Sequence, residues 1–197
     1  MKKLFRSFTF LLLPLFIFTS PLYAEPETFI LDNNHTYVLW SIDHLGYSTQ
    51  FGKWYASGQI ILDKDNPSQS KVNAKIDVAD MVTGIPQLDK HLRGKLFFDT
   101  EHYPTATFVS DKVNVLGKNT ATVDGILTLH GVSKPVVLQV TLNNLGMNPI
   151  SNKMTAGFTA TTSIKRSDFG INTLLPSLGD TVDIKIGAEA YQDKKVG

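Results

Sequence analysis

The sequence predicts an all-β domain of eight antiparallel strands with one short helix near 85–93. Three observations carry this. Apolar and polar residues alternate with a period of two in one run after another. Clusters of Asn, Asp, Gly and Pro separate the runs at short intervals. Connections this short join antiparallel neighbours, because a parallel pair needs a crossover of about a dozen residues or more.

The elements follow in order. Strands are expected near residues 35–43 and 54–63. Asp65-Asn66-Pro67 then turns the chain, and Val72, Ala74, Ile76 and Val78 alternate with Lys71, Asn73, Lys75 and Asp77. The period breaks at Ile85 to Arg93, where Leu88 and Leu92 stand four apart. Pro86 suits a first helical turn and Gly94 a stop. Strands near 104–115 and 120–130 flank the turn Gly117-Lys118-Asn119. The turn His130-Gly131-Val132-Ser133-Lys134 leads to Val136, Leu138, Val140 and Leu142. Asn143-Asn144 to Asn148-Pro149 separates these from Met154, Ala156, Phe158 and Ala160. Ile184, Ile186, Ala188 and Ala190 form the last strand. Such strands bury their apolar faces on one another as a sandwich or as a closed barrel. Closure removes exposed edges. An eight-stranded barrel is filled by side chains or holds one small ligand. Periodicity does not choose between the two.

The N-terminus has a different character. Lys2, Lys3 and Arg6 precede an apolar run from Phe8 to Phe18, and Pro21-Leu22-Tyr23-Ala24 offers a small residue for cleavage. This is the pattern of a secretory signal peptide, with a core too short for an ordinary membrane span. Residues 1–24 are expected to be removed, leaving one domain over 25–197 with no stable membrane span. An uncleaved anchor is the alternative. Removal takes three basic residues and no acidic ones, so the charge becomes 16 − 18 = −2. That balance argues against nucleic acid as a partner, because binding phosphates needs a positive excess. There are no cysteines. Packing alone must therefore hold an exported chain together. The signal points to a bacterial periplasm, with secretion as the second destination.

Several motifs stand in a fixed order along the mature chain. They are His44-Leu45-Gly46 with Phe51-Gly52 and Gly58, then Asp89-Lys90-His91-Leu92-Arg93, Phe97-Phe98, and Tyr103-Pro104 with Phe108. Gly125-Ile126-Leu127-Thr128-Leu129-His130-Gly131-Val132 with Lys134-Pro135-Val136 comes next, followed by Arg166-Ser167-Asp168-Phe169-Gly170 and Gly179-Asp180. In this ordered set the chain resembles the YceI-like family of exported bacterial proteins associated with polyisoprenoid binding. The resemblance implies a lipocalin-like antiparallel barrel with a long apolar channel for an isoprenoid chain. Leu96 departs from the family pattern, which more often has an acidic residue just before the paired phenylalanines.

The candidate ligand-binding residues are Trp40, Phe51, Trp54, Phe98, Phe108, Phe158 and Phe169. Ordinary core packing competes with channel lining for each. Phe97 and Phe98 would face opposite ways in a strand, one into the channel and one under the helix. His44, His91, Arg93 and Arg166 are candidates for the channel rim or for a head group. Lys95 and Lys165 flank the same segments. Hydrogen bonding to backbone near strand ends is the simpler role for the two histidines. The histidines show no metal-ligand spacing, and no Gly-x-Ser-x-Gly elbow or phosphate loop occurs. No metal, cofactor or catalytic residue is therefore expected. The function expected is a periplasmic carrier for a long apolar isoprenoid-type lipid. An enzyme acting on such a lipid and a packed barrel serving as an interaction module are the alternatives.

Overall fold

The computed structural model describes residues 25–192, so the expected signal peptide lies outside the described residues. Nine strands form one sheet: Glu27–Leu31 (β1), Tyr37–His44 (β2), Ser48–Leu62 (β3), Lys71–Asp77 (β4), Thr105–Val115 (β5), Thr120–Leu129 (β6), Val132–Met147 (β7), Met154–Lys165 (β8) and Thr181–Tyr191 (β9). All pairings are antiparallel, in the order β1-β3-β2-β9-β8-β7-β6-β5-β4. Pairing of β3 with β4 closes the sheet. The result is the eight-staved antiparallel barrel that the sequence predicts. Its first stave is split. β1 and β2 both run between β3 and β9, with Ile30 opposite Gln59 and Tyr37 opposite Tyr55 on β3. The chain between them has three residues more than the partner strand.

Those extra residues make a corner, Asp32–Thr36. Thr36 is buried there, and its Oγ1 donates to Glu189 O at 2.9 Å and accepts from Glu189 N at 3.2 Å. Asp32 N also donates to Glu189 O, at 2.8 Å. The interrupted ladder is therefore patched from β9, as buried backbone polar groups require. On the corner's outer side, His35 Nδ1 lies 2.9 Å from Asp32 Oδ2.

β3 is the strand that makes closure possible. Residues 48–55 pair with β2, and residues 56–61 pair with β4. β1 continues the β2 edge by pairing with residues 59–62, and Gly58, opposite Ala74 within the β3–β4 seam, has φ +132°. A Cβ there would lie 2.1 Å from Asn73 O on β4. Only glycine lets the two backbones meet in this way. Two bulges reset the alternation elsewhere, between Ser110 and Lys112 on β5 and between Leu142 and Asn144 on β7. The second explains why β7 runs through Asn143-Asn144 to Met147, where the sequence pattern had suggested a turn.

The connection from β4 to β5 is a strap of residues 78–104 across one end of the barrel. It carries the expected helix, Pro86–Arg93 (α1). Leu92 packs with Trp40, Trp54, Val78, Met81 and Ala106, and Leu88 packs against this cluster. A second cluster around Phe29, Leu31, Ile60, Ala156 and Ala190 occupies the opposite end. Outward positions on β4 are Lys71, Asn73, Lys75 and Asp77, and on β9 Asp183, Lys185 and Glu189. On these two strands the inner face is apolar and the outer face polar, the reverse of a membrane-spanning barrel. No helix among the described residues is long and apolar enough to cross a membrane.

Two predictions follow from this architecture. Gly58→Ala should cost about 3 kcal/mol or more, because it combines a strained φ with overlap on β4. Urea unfolding of the variant measures this, and a midpoint matching wild type would contradict it. At the corner, the hydrogen bond from His35 holds the Asp32 carboxyl below its usual value of 3.8, and the same bond raises His35 above 6.5. The pair's contribution is complete between those values. It fades as pH rises through the raised His35 pKa, and as pH falls through the lowered Asp32 pKa. Proton NMR should place the His35 midpoint above 6.5, with Asp32→Asn returning it toward that value.

Candidate functional site

The inward faces of all eight staves enclose one cavity of about 1090 Å³. Its wall is aliphatic and aromatic. Val38, Trp40 and Ile42 come from β2, Leu138, Val140 and Leu142 from β7, and Ile184, Ile186 and Ala188 from β9. These are the alternating positions of each strand, so period two builds the site directly.

The aromatic residues lie against glycines. A Cβ on Gly52 would meet the Trp40 ring at 2.6 Å, and one on Gly125 would meet the Phe108 ring at 2.5 Å. Each ring occupies the side-chain space that its neighbouring strand leaves empty. Both large rings thus lie along the wall, and the lumen stays open. Trp40 and Trp54 stand 6.0 Å apart by ring centroid. Phe98 meets Trp54 edge-on at 5.3 Å and 88°, a favoured aromatic geometry. Trp54 Nε1 donates to Val78 O at 3.0 Å, fixing the ring to the strap. Trp40 Nε1 is buried with no hydrogen-bond partner.

The structure sorts the sequence-derived candidates. Trp40, Trp54, Phe98, Phe108 and Phe158 line the cavity. Phe51 does not. It is 67% exposed on the outer face, because it stands three residues from Trp54 in the same strand. Phe169 is 1% exposed but also lies outside the cavity wall. It sits in the 3₁₀ turn Arg166–Phe169 that follows β8, where His130 Nδ1 donates to its carbonyl at 3.0 Å. Phe97 and Phe98 lie in a turn after α1 rather than a strand, and both line the cavity. The opposed orientation expected of them therefore does not arise.

The polar candidates divide as well. His44 and His91 are exposed at the strap end and border the cavity. Arg93 is committed to the strap itself, with Nε donating to Ala79 O at 2.7 Å, and it is not part of the wall. Arg166 borders the cavity but is 5% exposed. Its guanidinium donates to the carbonyls of Gly179, Ile171, Thr173 and Leu178 at 2.7 to 3.1 Å. Burial pushes its pKa down, and the nearby Asp180 pulls the other way. An arginine remains charged under such a shift. Asp180 accepts from Ser167 N at 3.0 Å and from Ser167 Oγ at 2.8 Å. Arg166 thus folds the loop 166–180 and has little donor capacity left for a head group. That loop meets the strap where Thr173 Oγ1 donates to Leu96 O.

Sequence reasoning passed over Lys90 and Lys118, which border the cavity together with Lys95. Their positions depend on the strap and turn geometry, and no periodic pattern marks them. Among the described residues, no three His, Cys, Asp or Glu side chains come together to hold a metal.

A YceI-like domain model matches residues 29–190. The chain belongs to the YceI-like family. The match covers every strand except the first two residues of β1 and the last of β9. A relative named UPF0312 protein from Pseudomonas savastanoi pv. phaseolicola is 39% identical over 176 residues, spanning 87% of this chain and 90% of the relative. Among solved structures, Burkholderia cenocepacia BcnA is similar to this YceI-like chain with a TM-score of 0.73 at 28% identity, covering 81% of this chain and 98% of BcnA. A polyisoprenoid binding domain from Saccharophagus degradans shares the fold with a TM-score of 0.66 at 17% identity, covering 83% of this chain and 98% of that domain.

Arg166→Met should destabilise the protein by about 3 kcal/mol, because four carbonyls lose their donor in a place water does not replace it. Arg166→Lys should recover only part of this, since an ammonium cannot reproduce the fork. Thermal unfolding followed by circular dichroism checks both, and an Arg166→Met midpoint equal to wild type would remove the loop-organising role.

Proposed function

We propose that the protein binds and carries a long apolar lipid of the isoprenoid type in its channel, in the bacterial periplasm. The observation that supports this most is the channel: about 1090 Å³ of space with an almost wholly aliphatic and aromatic wall. A pocket meant for a polar substrate carries more convergent polar groups than this. The polyisoprenoid binding described for the Saccharophagus degradans domain of the same fold is consistent with it. The N-terminal signal pattern supports the periplasmic location.

Physical magnitudes bound the ligand. Each buried methylene contributes about 0.8 kcal/mol, so a five-carbon unit is worth roughly 4 kcal/mol gross. Association opposes this with roughly 4 to 15 kcal/mol. One or two units are not retained, whereas about four or more are. The channel therefore suits a tail of about four isoprene units or more.

Mass spectrometry of an organic extract of protein purified from the periplasm should show an apolar chain of that length. Phe108→Asp and Phe158→Asp place an unpaired charge in the wall, which is costly to bury. Each variant should lose the copurifying lipid at least tenfold while keeping a β-sheet circular dichroism spectrum. A folded Phe108→Asp variant with undiminished lipid would remove Phe108 from the site. A wild-type protein with no long-chain lipid and with turnover of one would overturn the carrier reading.

A further inference from the structure

Four large apolar side chains stand exposed at the end of the barrel away from the strap. Val115 and Leu116 are at the tip of the β5–β6 hairpin, and Met147 and Ile150 at the tip of the β7–β8 hairpin. Leu116 is 65% exposed, Met147 62% and Ile150 91%. Apolar residues scattered singly over a surface need no explanation. These four belong to two neighbouring hairpins, since Leu142 N on β7 donates to Asn119 O in the β5–β6 turn at 2.8 Å.

The fold does not need them there. The β7–β8 turn holds itself together through Asn148, whose Oδ1 accepts from Ile150 N at 2.9 Å and from Ser151 N at 3.1 Å. Asn148 N donates to Lys153 O and Asn152 N to Asn148 O, both at 2.9 Å. Small polar residues suit such a turn, yet its apex carries Ile150. Met147 lies opposite Met154 and faces the same way as Leu145, which packs against the cluster at this end. The inward face of β7 therefore runs on past the rim, where Met147 is left uncovered. On β5, Val113 and Val115 both belong to the cavity wall. Apolar surface is thus continuous from the lumen to the tips.

Charge sets these tips apart. No aspartate or glutamate occurs in residues 112–123 or 125–167. Lys118 stands in the β5–β6 turn, and Lys153 follows the β7–β8 turn with its ammonium 3.8 Å from the centre of the Tyr191 ring. The carboxylates of this end, Glu25, Glu27, Asp63 and Asp65, lie at β1 and on the β3–β4 connection. Glu27 pairs with Lys64 there, and Asp63 Oδ1 accepts from Asn66 N at 2.7 Å. The strap end also exposes apolar residues, Tyr47 among them, but Asp43, Asp89 and Asp99 stand among its cations.

Exposed apolar tips with lysines and no acid beside them complement the surface of an anionic bilayer. The apolar side chains enter the boundary between head groups and acyl chains while the ammonium groups meet phosphates. We propose that the β5–β6 and β7–β8 tips dock the protein on an anionic lipid bilayer, with Leu116 and Ile150 inserted. This goes beyond the carrier reading and does not depend on it.

A chain without cysteine can be labelled at one chosen site. Ile150→Cys and Tyr47→Cys put an environment-sensitive fluorophore at turns of equal exposure, 91% each, on opposite ends of the mature protein. With vesicles of phosphatidylcholine and phosphatidylglycerol, the label at 150 should shift to the blue and brighten, and the label at 47 should not. Flotation should recover about tenfold more wild-type protein with these vesicles than with phosphatidylcholine alone, and added salt should reduce the ratio. Leu116→Asp/Ile150→Asp should cut flotation at least tenfold with an unchanged thermal midpoint, since both residues are exposed. A blue shift at 47 and not at 150 would dock the other end and overturn the proposal. No shift at either position, with no flotation, would also overturn it and leave the carrier reading intact. Equal flotation with the two kinds of vesicle would remove the anionic partner and refute it as stated. A shift at 150 that grows with protein concentration in the absence of vesicles would show that a second copy covers the tips, and the proposal would fall.

Discussion

The meeting of β3 and β4 is the constraint on which the rest of the molecule depends. A sheet that encloses an apolar lumen cannot leave a row of unpaired N–H and C=O groups along a seam. β3 solves this by pairing along both edges, with β2 and β1 on one side and with β4 on the other. Gly58 stands within the β3–β4 seam, where its missing Cβ lets the backbones approach. Once that seam is shut, the alternation of every other strand has a defined inside and outside. The corner at Asp32–Thr36 is a second concession to the same rule. A stave that must break keeps its buried polar groups satisfied by borrowing Glu189 from the neighbouring strand.

With the wall closed, the two ends differ in kind. One is packed by the cluster around Phe29 and Ile60. The other is roofed by the strap and by the loop that Arg166 organises. The roof is held by side chains that donate to backbone carbonyls: Trp54 to Val78, Arg93 to Ala79, and Thr173 to Leu96. His44, Lys90, His91 and Lys95 border the cavity on this roofed side.

Much of this was legible in the sequence. Period two marked the staves, and the Leu88–Leu92 spacing after Pro86 marked α1 in nearly its observed span. What was not legible has physical causes. β1 is five residues long and shows only Phe29 and Leu31 as buried positions, too few for a periodic signal. The bulge at Leu142/Asn144 lets a strand pass through asparagines that read as a turn. Phe51 shares its residue type with the wall, but its spacing from Trp54 puts it on the opposite face, and once a single long strand is recognised that spacing decides. Arg166 looked like a rim cation because the carbonyls that saturate it belong to a loop whose shape no local pattern encodes. Lys90 became visible as a cavity residue only when the strap was folded over the barrel end.

The pairing of Trp40 with Gly52 and of Phe108 with Gly125 makes the calibre of the lumen a local property. Strand number and tilt set the diameter of the backbone cylinder, but two glycines decide how much of that diameter large rings leave unobstructed. A lineage can therefore re-gauge the tube through one ring and the empty position beneath it. The same staves, seam and roof are compatible with tubes of different girth.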